Sequence, residues 1–558
     1  MATTASTKSG RKKAKKQKAA VENKAAAPVT AVAVTDIPER VWQISMIAIM
    51  LIAAVLRLYD LNLVPLHHDE GVNGNFLVRL VRDGSYRYDP ENYHGPTLYY
   101  FAALIPWITR LLFGTAARDH YGLTTFTIRL VPAVFGLATV GIVFMLRRRL
   151  GTIATLAAAL LLAVSPGAVY LSRYFIHETQ FVFFTLGIVV FGLRFYDTRN
   201  PTWLILATAS AALLFATKET AMISVGVLLI AFGMTHLYRR LYRKTVAPPS
   251  GKGRRPSVPQ EGAFRRFLNE FGTTQLVITA AIAIAVFLFL NILFYSSFFK
   301  HSQGIYDALK TFEVWTKTGQ SAHVHPPFTY VWWLFRQEAA LLCLGVVGAV
   351  LVVLKPKNSV ALFAALWSFG VIAAYSLIPY KTPWLVLNFI VPLALIAGYA
   401  IQMIYDLERG QIRIVAMVLL IALTVSTFQT IDLNFINYDN DDQYYVYVYA
   451  HTRRGTLDLV RNIEQIAAER DGLKTGITIV SPDYWPLPWY LRDYPGAAYF
   501  GRMAQSTEPL IVANESQKAE MEANFGEVYR QVPSNDSSGS FELRPGVRLL
   551  LYVRRNRL

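Results

Sequence analysis

The chain has 558 residues, of which 53% are hydrophobic and only 16% charged. Soluble domains carry about a quarter charged residues, so this composition excludes an ordinary soluble enzyme. The single cysteine, Cys343, leaves no disulfide framework and no Cys-based metal site. The net charge of +18 would suggest a nucleic-acid partner if it were spread over a soluble surface. Its placement along the chain argues against one.

Residues 1–40, with GRKKAKKQK and an Ala-rich stretch, read as a disordered basic tail on the cytoplasmic side. The first span covers 41–58. An outer loop, 59–124, then carries two juxtamembrane helices, the second of them near 98–113. That second helix is short and holds Trp107 and Arg110. Laying it on the membrane surface puts the N-terminal tail, Arg147–Arg149, the 239–270 loop and Lys355/Lys357 on one side, as the positive-inside rule requires. The remaining spans are 125–147, 152–172, 178–196, 202–217, 220–238, 274–295, 338–354, 359–379, 385–405 and 412–431, about eleven in all.

The cytoplasmic loop at 239–270 carries nine Lys/Arg and two acidic residues and faces anionic headgroups. Residues 432–558 form an extracytoplasmic domain with a net charge of −3, leaving +21 on the membrane part. This distribution is that of an oriented membrane protein. In the outer domain, 455–470 has helical spacing, with Leu457, Val460, Ile463 and Ile466/Ala467 on one face. ITIVS, PLIVA and RLLLYV read as buried strands of a small α/β fold. Tyr444, Tyr445, Tyr447 and Tyr449 alternate like a strand.

Ionisable residues gather on the predicted outer face, where burial in lipid does not penalise them. The first outer loop offers His67, His68, Asp69 and Glu70, then His94 before Gly95-Pro96. Later boundaries add Arg173, Glu178, Lys218, Glu219, His323, His325, Glu338, Tyr380 and Lys381. This convergence predicts a cavity at the outer leaflet. Asp69 is positioned to cap a helix whose apolar face is Val72, Phe76, Leu80 and Val81, with Glu70 near the helix's positive end. The same placement would keep a carboxylate ionised, as a general base must be.

The ordered set Asp69-Glu70, Gly95-Pro96-x-Leu-Tyr-Tyr, Phe-Gly and Arg129-Leu-x-Pro-Ala resembles the GT-C glycosyltransferases that use polyprenyl-phosphate sugars. These include protein O-mannosyltransferases and the lipid A aminoarabinose transferase. HHDEGVNGNFLVRLVRDGSYRYDP, YHGPTLYYF, ATKET, HVHPP and IPYKTPW bring it nearest the prokaryotic "flippase activity-associated" family. The resemblance covers 41–431. It implies a membrane glycosyltransferase, a hexosyltransferase, in the prokaryotic plasma membrane. A sugar would pass with inversion from a polyprenyl-phosphate carrier to a lipid, glycan or protein acceptor at the extracytoplasmic face. Asp69 matches the proposed base, and Glu70 would orient acceptor or sugar. Arg173, Lys218 and Lys381 are candidate cations for the leaving phosphate, and His68, His94, Glu178, Glu219, His323, His325 and Tyr380 candidate substrate contacts. The family's Lys-Pro-Pro is replaced here by Tyr93-His94-Gly95-Pro96, which puts a lysine contact to phosphate there in doubt.

No resident cofactor is written in the sequence. A divalent metal on Asp69, His67, His68 and His325 is one reading of the histidines, and binding of sugar or phosphate by neutral imidazole is the other. A flippase or flippase-associated component, or a non-catalytic scaffold of the same fold, stands as the alternative function. No nucleic-acid partner is expected.

Overall fold

The computed structural model describes residues 37–84, 86–92, 94–114, 122–246, 272–318, 324–407, 411–440, 444–534 and 539–555. His323 and nearly all of the basic tail lie outside the described residues, as does the 239–270 loop beyond 246.

Most of the chain is a bundle of apolar helices. Among the described residues eight are long and apolar enough to cross a membrane: Glu39–Leu58, Thr125–Leu150, Glu178–Thr198, Ala221–Tyr242, Thr274–Tyr295, Ser359–Leu377, Pro383–Leu407 and Ile412–Ile436. Two bent pairs, Thr152–Ala163 with Pro166–Ser172 and Thr329–Gln337 with Ala339–Leu354, bring the number to ten if each is one span. The eleventh predicted segment is Pro201–Phe215, a shorter apolar helix, as is Thr97–Leu112 in the first loop. The chain is an integral membrane protein.

The Pro383–Leu407 segment is the hub of the bundle. Its apolar window is 94% buried, whereas none of that of Thr274–Tyr295 is. A uniformly apolar helix can serve either place, since lipid and protein core are equally dry. The two bends meet each other. Glu338, at the 114° break, accepts hydrogen bonds through Oε1 from Ser165 Oγ and Gly167 N at the 58° break, both at 2.8 Å. Backbone groups freed by a broken helix are thus satisfied inside the protein, as they must be at membrane depth.

The Arg147–Arg149 turn lies at the far end of the bundle from the first loop. There Arg147 pairs with Glu39 at 2.7 Å and its guanidinium lies 4.3 Å from the Trp42 ring centre. Arg149 pairs with Asp197.

The C-terminal lobe is a small α/β domain. Its strands are β1 (Ile477–Ile479), β2 (Ala497–Tyr499), β3 (Leu510–Asn514), β4 (Tyr529–Gln531), β5 (Phe541–Arg544) and β6 (Val547–Arg554). The order is β2-β1-β3-β6-β4, with β5 also paired to β6. β1 runs parallel to both neighbours, and β6 antiparallel to β3, β4 and β5. All five residues of β3 are buried, as a central strand covered on both faces requires. The Gly455–Ala468 helix covers one face through Leu459, Val460, Ile463 and Ala467. Leu459 thus takes the buried place expected of Leu457. The tyrosine run forms turns instead of a strand, and Tyr447 is buried with its ring stacked 6.4 Å from Tyr170.

The lobe sits on the first-loop helix, His68–Asp83. A Cβ at Gly71 would meet Pro486 Cβ at 2.6 Å, and one at Gly74 would meet Trp489 Cε3 at 2.6 Å. Only hydrogen side chains allow this approach. The Tyr490 hydroxyl accepts from Leu66 N at 2.8 Å, and Arg82 pairs with Asp493. Docking also changes the helix's inward face: Leu77, Leu80 and Val81 are buried, while Val72 turns elsewhere.

Candidate active site

The His68–Asp83 helix begins with a capping box, but Asp69 is not its cap. The cap is His67, whose Nδ1 accepts from Asp69 N at 3.1 Å, while Glu70 Oε2 accepts from His67 N at 3.0 Å. His67 Nε2 is spent on the Tyr449 carbonyl, 3.0 Å away, which accepts its proton. The helix terminus is therefore satisfied without the Asp69 carboxylate, which is 39% exposed. It remains in the first turn of the helix.

Glu70 is placed differently. It is fully buried, and both its oxygens are engaged: Arg129 donates to them at 2.7 and 2.6 Å, and Phe175 N donates to Oε1 at 2.8 Å. Arg129 further donates to the carbonyls of Leu61, Val64 and Pro65. A buried bidentate pair with every remaining site filled fixes the first loop to the bundle. Glu70 is not among the residues lining the cavity described next.

Asp69 lines a cavity of about 380 Å³. His68, His94, Glu178, Lys218, Glu219 and Tyr380, all predicted site residues, line it too. Two sequence motifs meet on its floor. Gly95 N donates to Thr217 O at 3.0 Å, and His94 pairs with Lys218 in an antiparallel bridge, joining YHGP to ATKET. A Cβ at Gly95 would lie 2.1 Å from Ala216 O, so the approach requires glycine. Val324 and Tyr380 form a second bridge, joining HVHPP to IPYKTPW.

Charges on the floor are matched. Lys218 Nζ lies 2.6 Å from Glu178 Oε1, and His94 Nδ1 lies 3.2 Å from Glu219 Oε2. Burial alone would lower the Lys218 pKa, but Glu178 and Glu219 outweigh it and hold the ammonium above the usual lysine range. Burial pushes His177 well below the ordinary histidine value, with His94 and Lys218 adding to the effect. His177 Nε2 donates to Gly95 O at 3.0 Å, which fixes the neutral ring's tautomer. Burial also lowers His68, against the pull of Asp69 beside it.

Asn73, Thr220 and Tyr375 also line the cavity, though the sequence did not single them out one by one. Asn73 stands one helical turn from Asp69, so i, i+4 spacing was the available signal. Tyr99 OH donates to its Oδ1 at 2.9 Å, and its Nδ2 donates to Phe175 O at 3.0 Å.

Three expected groups are elsewhere. Arg173 donates to the carbonyls of Tyr59 (2.5 Å) and Asp60 (2.8 Å), closing the end of the first span. Burial brings its pKa down to about 10. Lys381 is buried and donates to Ile378 O at 2.5 Å. His325 places its ring 5.7 Å from Trp333, and its backbone N donates to Pro379 O at 3.1 Å. Of the three predicted phosphate cations, only Lys218 lines the cavity. The metal set is dispersed as well: His67 faces inward as a cap, and among the described residues no three His, Cys, Asp or Glu side chains gather to hold an ion.

Comparison with known proteins agrees with this architecture. The crystal structure of ArnT from Cupriavidus metallidurans bound to undecaprenyl phosphate superposes with a TM-score of 0.56 over 92% of this chain and 98% of that one, at 14% identity. The apo state of the same protein gives 0.57 over the same shares, also at 14% identity. The chain has the GT-C transferase fold. The Archaeoglobus fulgidus oligosaccharyltransferase tethered to an acceptor peptide shares it more distantly, with a TM-score of 0.50 at 14% identity over 83% of this chain and 64% of that one. In sequence, the dolichyl-phosphate-mannose-protein mannosyltransferase family matches residues 101–248. No curated protein matches the chain. The GT-C fold accounts for the bundle and its C-terminal lobe, and the 101–248 match includes the Glu178 and Lys218 wall of the cavity.

Proposed function

We propose that the chain is a glycosyltransferase that moves a sugar, with inversion, from a polyprenyl-phosphate carrier to an acceptor at the extracytoplasmic face. The observation that carries this reading is the state of Asp69: an ionisable carboxylate at the wall of a 380 Å³ cavity, with helix capping performed by its neighbours. An inverting transfer needs one base to take the acceptor's proton as the sugar carbon is attacked from the side opposite the phosphate. Asp69 is that base. The prenyl phosphate leaves with the bonding electrons, so a cation at its oxygens lowers the barrier. Lys218 is the lining residue suited to this role, and Glu178 holds its ammonium in place.

Orientation follows the charge pattern. The arginine turn at 147–149 lies at the end of the bundle opposite the lobe, and the positive-inside rule assigns that end to the cytoplasm. The N-terminus is then cytoplasmic and the 432–558 domain extracytoplasmic. The undecaprenyl phosphate bound to ArnT, which shares the fold, supports a lipid-phosphate donor.

The test is sugar release from a panel of polyprenyl-phosphate sugars by purified protein, with and without EDTA. Asp69→Asn is run alongside it. Release by the wild type and its loss in the variant support the assignment. Equal release by both removes Asp69 as the base, and no release with any donor and acceptor pair favours the flippase or scaffold reading.

A further inference from the structure

The lobe presents two tryptophans four residues apart, and they are treated differently. Trp489 is 1% exposed and fills the dock over Gly74. Trp485 is only half-buried and stands at the lip of the cavity, its ring 5.9 Å from that of His68, which lines the cavity. Two further rings follow along the lobe, packed on one side against its core. Tyr484 lies 5.8 Å from Trp485, and Tyr499 lies 5.2 Å from Tyr484. All three remain half-buried. Docking has left them open to solvent beside the site, although a fully buried aromatic contributes more to stability.

One charge pair beside this strip is self-neutralised. Arg544 pairs with Asp483, and both act electrostatically on His68. Aromatic faces backed by a self-neutralised pair suit a ligand that is uncharged, rich in hydroxyls and apolar on its ring faces. Tyrosine and tryptophan supply such contact at low entropic cost.

We infer that the Trp485–Tyr484–Tyr499 strip is a binding platform for a neutral oligosaccharide, whose terminal residue reaches Asp69 past His68. The ligand is an acceptor glycan only if the transferase reading holds; the platform itself does not depend on donor chemistry. Each ring lies about one sugar residue from the next, so a short linear glycan can engage all three.

The experiment is equilibrium binding of neutral tetrasaccharides, built separately from mannose, glucose and galactose, to the full-length protein in lipid nanodiscs. A hydroxyl-bearing heptapeptide serves as the rival ligand. Trp485→Leu keeps apolar packing against Gly71 but removes the aromatic face, and Tyr484→Leu does the same one ring further along. At least one tetrasaccharide should bind saturably, and each variant should weaken it about tenfold or more. Wild-type affinity in both leucine variants overturns the platform. So does the absence of binding by every tetrasaccharide, or binding of the peptide in their place. Trp485-dependent glycan binding without sugar release would retain the platform and remove the transferase. Sugar release without glycan binding would do the reverse.

Discussion

The Lys218 ammonium and the Glu178 carboxylate are 2.6 Å apart at the cavity floor, with side chains only 5% and 3% exposed. Removing one member leaves the other as a buried, unmatched charge, which costs about 3–5 kcal/mol. Lys218→Met should therefore unfold well below the wild type in a thermal melt. Lys218→Met/Glu178→Met should recover most of that loss while sugar release stays low. A double variant that melts at the sum of the two single losses would show that the pair does not act as a unit.

Adjacent acids should behave oppositely. Asp69→Asn should melt with the wild type, since His67 and Glu70 form the cap, yet lose sugar release by at least about a hundredfold, the usual scale for a general base. Glu70→Gln should unfold earlier by about 3–5 kcal/mol, because Arg129 would keep its charge without a buried counterion. A Glu70→Gln protein of normal stability would mean that the first loop is held by other contacts.

Gly95→Ala tests the floor directly. The new methyl would lie 2.1 Å from Ala216 O, a backbone atom that cannot swing aside. Overpacking of this kind costs about 1–3 kcal/mol. Separating the His94 strand from residues 216–218 would also displace Lys218. Sugar release should fall by a larger factor than the change in melting temperature accounts for.

Acid should act on the fold through two buried histidines. Burial depresses His177 and His451 well below 6.5, so each is neutral in the folded chain. Between their folded values and 6.5 the unfolded chain binds more protons, so stability falls as the pH drops through that window. Melting temperatures measured from pH 7.5 down to 5 should decline. Replacing His451 with Gln should flatten the decline, and an unchanged slope would point to other groups.

Much of the architecture was legible because a bilayer imposes simple lengths. A run such as 274–295 has one use at that hydrophobicity, and the three core strands of the lobe were bounded by turn residues. Convergence of the first loop with ATKET and IPYKTPW was legible too, since each motif stands at a predicted outer boundary. Direction was not. Asp69 and Glu70 are neighbours of the same charge, and only the His67 cap and the position of Arg129 decide which one faces the cavity. Arg173 and Lys381 satisfy free carbonyls, a demand that exists only once the helices end where they do. The tyrosine run has strand spacing, but its residues pack against helix ends instead of pairing with a sheet.

The fit of Pro486 and Trp489 into the glycine notch of the first-loop helix locks the lobe to the membrane bundle. A secreted fragment beginning near residue 432 would expose that wedge of rings to water and should clump on expression. A chain stopped before 432 would leave the helix bearing Asp69 uncovered on the side where Gly71 and Gly74 lie. Trimming the protein to either half is therefore a poor route to a simpler assay; shortening its N-terminal tail interferes with none of these contacts.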